Sequence, residues 1–175
     1  MITRRGLLKS AMAAFAMYPY KNAEASQKKD KILNMYNIHT DENLNICYSR
    51  DGQYDIKALS EINHFLRCHY NNEVKEICLK VIDLLTEIKD IAGGNRIIEI
   101  ISGYRSLAYN NYLIRLGRQV SRNSQHLYAM AIDFAIPGVC NRELLKIASS
   151  LGAGGVGYYH DFIHIDSGRV RYWGF

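Results

Sequence analysis

The sequence lacks the features of a membrane-spanning or repetitive chain. No apolar run approaches the roughly 18 residues that a transmembrane helix needs, so a multi-span membrane protein is excluded. There are no internal repeats, no low-complexity tract and no run of five or six like charges. With 175 residues, of which 48% are hydrophobic and 22% charged, the chain has the size and composition of one globular domain.

The cysteines and glycines also lack the spacings of familiar ligand sites. The segment 154–157 is rich in glycine but contains neither G-x-G-x-x-G nor a P-loop pattern, which argues against phosphate binding. No C-x-x-C pair and no zinc-finger spacing occurs among the four cysteines, Cys47, Cys68, Cys78 and Cys140. Disulfide bonds are open to an exported chain, and four buried free thiols are the alternative.

The first 25 residues have the order of parts found in an export signal. A basic start is followed by an apolar stretch over 11–18 and by the A-x-A sequence of Ala23 to Ala25. The run T-R-R-G-L-L-K is similar to a bacterial twin-arginine signal. We therefore predict a signal peptide over 1–25, read by the twin-arginine export machinery, and one domain over 26–175 in the periplasm or cell wall. The alternative is a mobile basic tail or an uncleaved anchor.

The positive charge is concentrated in that segment. The whole chain has a formal charge of +5 and a pI near 9.0, of which residues 1–25 carry +3 and residues 26–175 carry +2. A near-neutral domain has no basic surface suited to nucleic acid. A basic adaptor for nucleic acid or a membrane is therefore the least favoured hypothesis, and we expect no nucleic-acid partner.

The remaining chain alternates between helical and extended patterns. Alternating apolar residues over 32–48 predict a β-hairpin. Asp55 and Asn141 are placed to cap two helices, over 55–69 and 141–151. The other apolar stripes predict helices over 74–92 and 107–116 and strands over 96–102, 130–136, 156–159 and 162–166. Helices come early and strands cluster late, which predicts an α+β domain.

Two segments place ionisable residues where a core is expected. In the strand over 130–136, Asp133 is the only charged residue on a face otherwise formed by alanine, and a buried carboxylate needs a cation or metal. The alternative is an exposed face with Asp133 in water. In Asp161–Asp166, His164 and Asp166 share one face, and imidazole and carboxylate are zinc ligands when thiolate is absent. The alternative is a hydrogen-bonded structural histidine.

Two further segments carry unusual residues. Arg105 lies between a buried strand and a helix, where it either faces a cleft and binds an oxyanion or closes the turn that starts the helix. The segment 154–159, G-G-V-G-Y-Y, predicts a tight turn with two tyrosines beside a cleft.

Taken in order, these motifs resemble those of a known family. S-G-Y-R-S, S-Q-H-L-Y-A-M-A-I-D and G-G-V-G-Y-Y followed by F-I-H-I-D-S-G-R-V-R-Y-W are similar to motifs of the LAS-type zinc peptidases, which act on bacterial cell-wall peptides. Within that group, the chain resembles the murein endopeptidase K branch over nearly all of 36–173. The resemblance implies the fold of D-Ala-D-Ala dipeptidases and hedgehog N-terminal domains, with a small antiparallel sheet packed by helices.

The resemblance also implies a metal site and an activity. His126, Asp133 and His164 match the family's three Zn²⁺ ligands, which leaves a fourth position for water, and Arg105 matches the arginine that stabilises the oxyanion. The implied reaction is hydrolysis of amide bonds in peptidoglycan stem peptides or cross-links, by an endopeptidase or a carboxypeptidase. The alternative is a module of the same fold that binds zinc and a peptidoglycan or protein partner without catalysis.

The resemblance leaves two candidates for the general base, and it bears on two further positions, Asp166 and Ala129. In this fold the base precedes the last histidine ligand by two or three residues, which favours Asp161, with His160 as the alternative. Asp166 matches a family residue that orients a ligand or Arg105. Ala129 stands where the family usually has glycine, and its methyl group is expected to crowd the main chain beside the metal.

Overall fold

The computed structural model describes residues 29–174, so the predicted signal segment lies outside the described residues. Within this range, the strands are β1 (Lys31–Asn37), β2 (Glu42–Arg50), β3 (Gln53–Tyr54), β4 (Ile98–Ser102), β5 (Ala131–Ala135), β6 (Gly155–Tyr158), β7 (Ile163–Asp166) and β8 (Arg171–Trp173). The helices are α1 (Ile56–Phe65), α2 (Leu79–Ile91), α3 (Leu107–Arg115) and α4 (Asn141–Leu151), with a 3₁₀ turn at Gln125–Tyr128. No helix of this range is long and apolar enough to cross a membrane.

The strands form one sheet in the order β3-β2-β1-β4-β5-β7-β6-β8. Most neighbouring strands are antiparallel, but β1 with β4 and β6 with β8 are parallel. The predicted α+β class is confirmed, and the sheet is larger and more mixed than the small antiparallel sheet that we expected. The edge strands β3 and β8 have two and three residues, too few to show a period of two in the sequence.

The hydrophobic core lies where helices α2 and α4 pack together against the sheet. Helix α2 contacts β1, β7 and α4, and α4 contacts β6 and β7. The buried stripe of α2 has the helical spacing expected from the sequence, and it comprises Val81, Leu84, Leu85 and Ile88. The strands contribute the alternate residues Ile132, Phe134, Ile163 and Ile165, all without exposed surface. Burying each of these large side chains stabilises the fold by roughly 1.5–3 kcal/mol.

The start of α2 differs from the prediction. The helix begins at Leu79, not at residue 74, and the preceding segment is held by contacts far away in the chain. The main-chain N–H of Ile77 donates to Asn63 Oδ1 (2.9 Å), and that of Cys78 donates to the carbonyl of Ala129 (2.9 Å). These tertiary hydrogen bonds override the local helical pattern, and they tie the segment to the turn that carries His126.

The two predicted helix caps have different outcomes. Asp55 caps α1 as predicted, since its carboxylate accepts from the N–H groups of Lys57 (2.8 Å) and Ala58 (3.2 Å). Asn141 is not the cap of α4 but its first residue, because its side-chain amide donates to the carbonyl of His160 (3.0 Å). Helix α1 also ends four residues earlier than expected, at Phe65.

All four cysteines are free thiols, which resolves the choice that the sequence left open. Cys68 is buried and Cys140 is exposed, so burial does not hold for every one of them.

Candidate metal centre

Sheet register places two of the expected ligands side by side. Asp133 of β5 and His164 of β7 are directly opposite each other in the antiparallel pair. Because side chains alternate along a strand, Ile132 and Phe134 enter the core while Asp133 lies on the other face. Asp133 is nevertheless only 5% exposed, so the alternative of a carboxylate on a solvated face is wrong.

The 3₁₀ turn before β5 brings His126 to the same place. Three donor atoms converge there: His126 Nε2 lies 3.2 Å from both Asp133 Oδ1 and His164 Nδ1, and the last two atoms are 2.7 Å apart. Tetrahedral ligands at the usual zinc bond lengths are about 3.3 Å from one another. The spacing of these buried atoms therefore suits one small cation.

In each imidazole, the nitrogen that faces away from Asp133 forms a hydrogen bond. His126 Nδ1 donates to the carbonyl of Gly103 (2.7 Å), and His164 Nε2 donates to Asp166 Oδ2 (3.1 Å). These bonds assign the tautomers, so each neutral ring directs a lone pair at Asp133 Oδ1. Three lone-pair atoms this close repel one another unless a cation lies among them, so the cluster has the character of a candidate metal site.

The protonation behaviour of the cluster fits this view. Burial lowers the pKa of His126, which favours the neutral imidazole that a metal requires. Burial alone would raise the pKa of Asp133, but the adjacent His126 and His164 hold it well below its usual range. Burial also acts to lower the pKa of His164, and hydrogen bonds to Asp133 and Asp166 outweigh it and raise that pKa. Without a metal ion, His164 is therefore the residue of the cluster that would bind a proton in its place.

Asp166 lies behind His164 rather than in the cleft. Its carboxylate is fully buried and forms a two-point ion pair with Arg171, with Nη1–Oδ1 and Nη2–Oδ2 distances of 3.0 and 2.7 Å. The N–H groups of Gly155 (3.2 Å) and Gly168 (2.8 Å) also donate to Oδ1. Hydrogen bonds from His164, Arg171 and the N–H of Gly168 outweigh the effect of burial and hold the pKa of Asp166 well below its usual range. Asp166 is therefore a fixed anion that orients the His164 ring.

Two glycines of β6 allow this packing. A Cβ atom at Gly155 would lie 2.4 Å from Asp166 Oδ2, and one at Gly157 would lie 2.5 Å from Trp173 Cε2. The tight turn predicted over 154–159 is wrong for most of that segment, because strand β6 runs from Gly155 to Tyr158. The glycines of the G-G-V-G motif allow close packing beneath the candidate ligand His164.

Arg105 lies next to the cluster, in the loop between β4 and α3. It is 8% exposed, and its Nη2 is 3.6 Å from Asp133 Oδ2 and 3.4 Å from Ser102 Oγ. Its Nη1 is 3.5 Å from Asn110 Oδ1, and its buried Nε has no hydrogen-bond partner among the described residues. The guanidinium therefore keeps donor capacity beside the candidate metal centre, as oxyanion stabilisation requires.

His160 and Asp161 are not brought into the cluster. They form the turn between β6 and β7, both side chains are largely exposed, and they hydrogen-bond to each other. Their neighbours Tyr159 and Phe162 do line the cleft, so the turn lies at its rim.

The candidate metal cluster opens into a cleft of about 930 Å³. One wall is aromatic: Tyr159 stacks on Phe162 with 4.5 Å between ring centroids, and its hydroxyl accepts from Trp173 Nε1 (3.1 Å). The Trp173 ring lies 5.2 Å from that of His164. Sequence reasoning assigned no role to Trp173 or Arg171, although the R-x-W ending of the last motif was the signal for both.

Ala129 ends the turn that carries His126. Its φ of +55° is in the left-handed region, which costs an alanine roughly 1 kcal/mol relative to glycine. Its N–H donates to the His126 carbonyl (3.2 Å), and its carbonyl accepts from Cys78. The structure accommodates the methyl group at the cost of this strain, with His126 in the candidate cluster.

Comparison with known proteins identifies the family. Residues 25–173 match the peptidase family described as peptidoglycan L,D-endopeptidase MepK. Proteins named peptidoglycan L,D-endopeptidase MepK from Escherichia coli K12 and Shigella flexneri are 36% identical over 153 residues, which is 86% of this chain and 84% of theirs. A Haemophilus influenzae protein named "Probable peptidoglycan L,D-endopeptidase MepK" is 36% identical over 154 residues, or 86% and 83% of the two chains.

No solved structure gives a significant match. The family match covers most of the chain and confirms the resemblance found in the motifs. This chain therefore belongs to the peptidoglycan L,D-endopeptidase MepK family of peptidases.

Proposed function

We propose that this chain is a zinc-dependent peptidoglycan L,D-endopeptidase. The observation that carries the proposal is the convergence of three lone-pair atoms, from His126, Asp133 and His164, within 3.2 Å of one another. The names of the relatives support the reaction and favour an endopeptidase over the carboxypeptidase alternative.

The donor set supports zinc as the ion. Two neutral imidazoles and one carboxylate, with no thiolate, form a common catalytic zinc set that leaves a coordination position open. When bound there, zinc supplies Lewis-acid chemistry that polarises a carbonyl and activates water. The chain contributes the fixed tautomers, since Gly103 and Asp166 hold the outer nitrogens of both rings.

Arg105 is proposed to stabilise the anionic oxygen that develops on the scissile carbonyl. Its guanidinium is held beside Asp133, and Arg105 lines the cleft into which the cluster opens. A donor that is already desolvated and held in place needs little reorganisation when negative charge develops. This is the reason to assign it to the transition state rather than to substrate binding alone.

Asp161 is proposed as the general base, with His160 as the alternative. Asp133 is the only carboxylate among the described residues that line the cleft, and the metal cluster uses it. A carboxylate base must therefore come from a bordering segment, and Asp161 lies between the cleft-lining Tyr159 and Phe162. To act, its side chain has to leave the exposed hydrogen bond with His160 and turn into the cleft.

That exposure also favours a second candidate function. A module that binds metal and peptidoglycan without hydrolysing it needs no base, and both candidates for the base lie in solvent. Metal content with no turnover would support this alternative.

Export is part of the proposal. We propose that residues 1–25 are a twin-arginine signal and that residues 26–175 form the zinc peptidase domain, located in the periplasm or cell wall. A substrate in the cell wall, as the relatives' names indicate, supports this location.

Digestion of defined peptidoglycan fragments, read by mass spectrometry, tests the reaction. We expect cleavage of an L,D amide bond, its loss with a chelator, and its return with Zn²⁺. His126→Ala should abolish cleavage, while His64→Ala, at an exposed histidine of α1, should not. Cleavage that persists in both the chelator and His126→Ala would contradict the proposal.

A further inference from the structure

The cleft carries a cation that the proposed reaction does not use. Arg169 lines the cleft together with Arg105 and Arg171, and its side chain is exposed. Arg171 is paired with Asp166, and Arg105 lies against Asp133. In the described part of the chain, the Arg169 guanidinium has no acidic partner, and only its main-chain carbonyl forms a hydrogen bond, from Arg171 Nη1 (3.1 Å).

The main chain at Arg169 is held in a fixed relation to the metal centre. Asp166, which orients His164, also accepts from the N–H of Gly168 (2.8 Å) and from Arg171. Arg171 in turn donates to the Arg169 carbonyl. The buried Asp166 carboxylate therefore positions both the ligand and the point from which the Arg169 side chain extends, which lowers the cost of ordering a bound group there.

The charges of the cleft favour an anionic ligand. Three arginines line it within residues 29–174, and the carboxylates of Asp133 and Asp166 lie against two of them, so the charge of Arg169 is left uncompensated. A bound divalent ion would add further positive charge. Such a cleft raises the local concentration of anions and disfavours neutral or basic peptides.

We propose that Arg169 is a specificity-determining residue that binds a free carboxylate of the substrate peptide. The planar fork of an arginine matches the two oxygens of a carboxylate, and that match is lost when the carboxylate is amidated. The inference rests on the proposed peptidase function. The carboxylate can belong to the residue beside the scissile bond or to one further along the peptide, and the two sources are separable by amidating each in turn.

Steady-state kinetics on three peptides of one sequence test this role. One peptide has all carboxylates free, one is amidated beside the scissile bond, and one is amidated further along. For the wild type, we expect amidation of the bound carboxylate to lower kcat/KM about tenfold, mainly through KM. In Arg169→Gln, kcat/KM on the peptide with free carboxylates should fall about tenfold and become equal to that on the amidated peptides. The kcat/KM of Arg169→Lys on the free peptide should lie between those of the wild type and Arg169→Gln.

Arg142→Gln is the matched control, because it removes an equal charge from an exposed position of α4 outside the cleft. It should retain the wild-type preference, and the melting temperature of each variant checks folding. If Arg169→Gln keeps the wild-type preference, or if the wild type hydrolyses all three peptides equally, the inference is wrong. If the wild type cleaves none of them, the proposed peptidase function fails instead.

Discussion

Asp133 and His164 are cross-strand partners on β5 and β7, and their facing atoms Oδ1 and Nδ1 lie 2.7 Å apart. The same register continues sideways, since Ser102 pairs with Asp133 and Gly157 with His164. One row across the sheet thus contains four residues: Ser102, which contacts Arg105, the candidate ligands Asp133 and His164, and Gly157, which packs against Trp173. The sheet therefore sets the positions of two of the three candidate ligands, and the 3₁₀ turn before β5 places His126 beside them.

Removing one ligand should empty the site without unfolding the protein. Asp133→Asn keeps the shape of the side chain but removes the charge that opposes the cation, so we expect bound zinc to fall below one tenth per chain and turnover to fall at least 100-fold. Metal analysis after gel filtration measures the first effect. The exposed Asp51→Asn is the control, and a full zinc complement in Asp133→Asn would contradict the ligand assignment.

Asp166 should act through His164 rather than on substrate. Asp166→Asn weakens the hydrogen bond that fixes the His164 tautomer and breaks the ion pair with Arg171. We expect zinc affinity to fall about 10–100-fold. Competition with a chromogenic chelator measures this change, and activity should recover at saturating zinc. A loss of activity that saturating zinc does not restore would instead indicate a direct role in the reaction.

Asp161 and His160 can be separated by mutation. If Asp161 is the base, Asp161→Asn lowers kcat by about 10²–10⁴-fold while zinc content and KM stay near their wild-type values. His160→Gln should change kcat by less than tenfold, since it removes only the hydrogen bond that holds Asp161. A wild-type kcat in Asp161→Asn would refute the assignment of Asp161 as the base. If kcat falls in His160→Gln alone, His160 is the base instead.

Gly157 should report on the packing of Trp173. An alanine there meets the indole at 2.5 Å, so Trp173 must move and stability should fall by about 1–3 kcal/mol. Trp173 is the only tryptophan of the chain, so its fluorescence measures the displacement directly. Gly117→Ala is the control: it strains a positive φ but meets no atom within 4 Å, so the emission spectrum should not change.

His69 should make the fold less stable in acid. Burial, with the charges of His39 and Arg105, lowers the pKa of His69 from its ordinary 6.5 to about 4. Between these values the unfolded chain binds more protons than the folded one, so stability decreases as the pH falls through this window. Because the ring is half-buried, the contribution is on the order of 1 kcal/mol.

Urea unfolding at pH 7.5 and pH 4.5 measures this effect. Between pH 7.5 and pH 4.5, the free energy of unfolding should fall by about 1 kcal/mol less in His69→Asn than in the wild type. The reason is that the variant lacks the imidazole that the unfolded state protonates. The same loss in both proteins would show that His69 does not titrate with folding.

Much of this molecule follows from local signals in the sequence. Alternation over 32–48 predicted the first hairpin, and Asp55 predicted the start of α1, because both depend on residues close in the chain. Asp133 stood out as the one charged residue on its strand face, and the structure buries it beside two histidines.

What the sequence could not predict depends on contacts between distant segments. Helix α2 starts late because Ile77 and Cys78 donate to residues 14 and 51 positions away, which no local pattern contains. The partnership of Arg171 with Asp166 spans only five positions, but it forms only when the turn after β7 closes on the sheet. The free guanidinium of Arg169 becomes informative only once that pairing is known.

We propose that one zinc ion, held by His126, Asp133 and His164, is required for hydrolysis. A zinc titration of chelator-stripped protein, with cleavage of a defined peptidoglycan peptide as the readout, tests it most directly. In the wild type, activity should rise linearly and level off at one zinc per chain, and His126→Ala should show no rise. Full activity before any zinc is added, or an equal rise in His126→Ala, would contradict it.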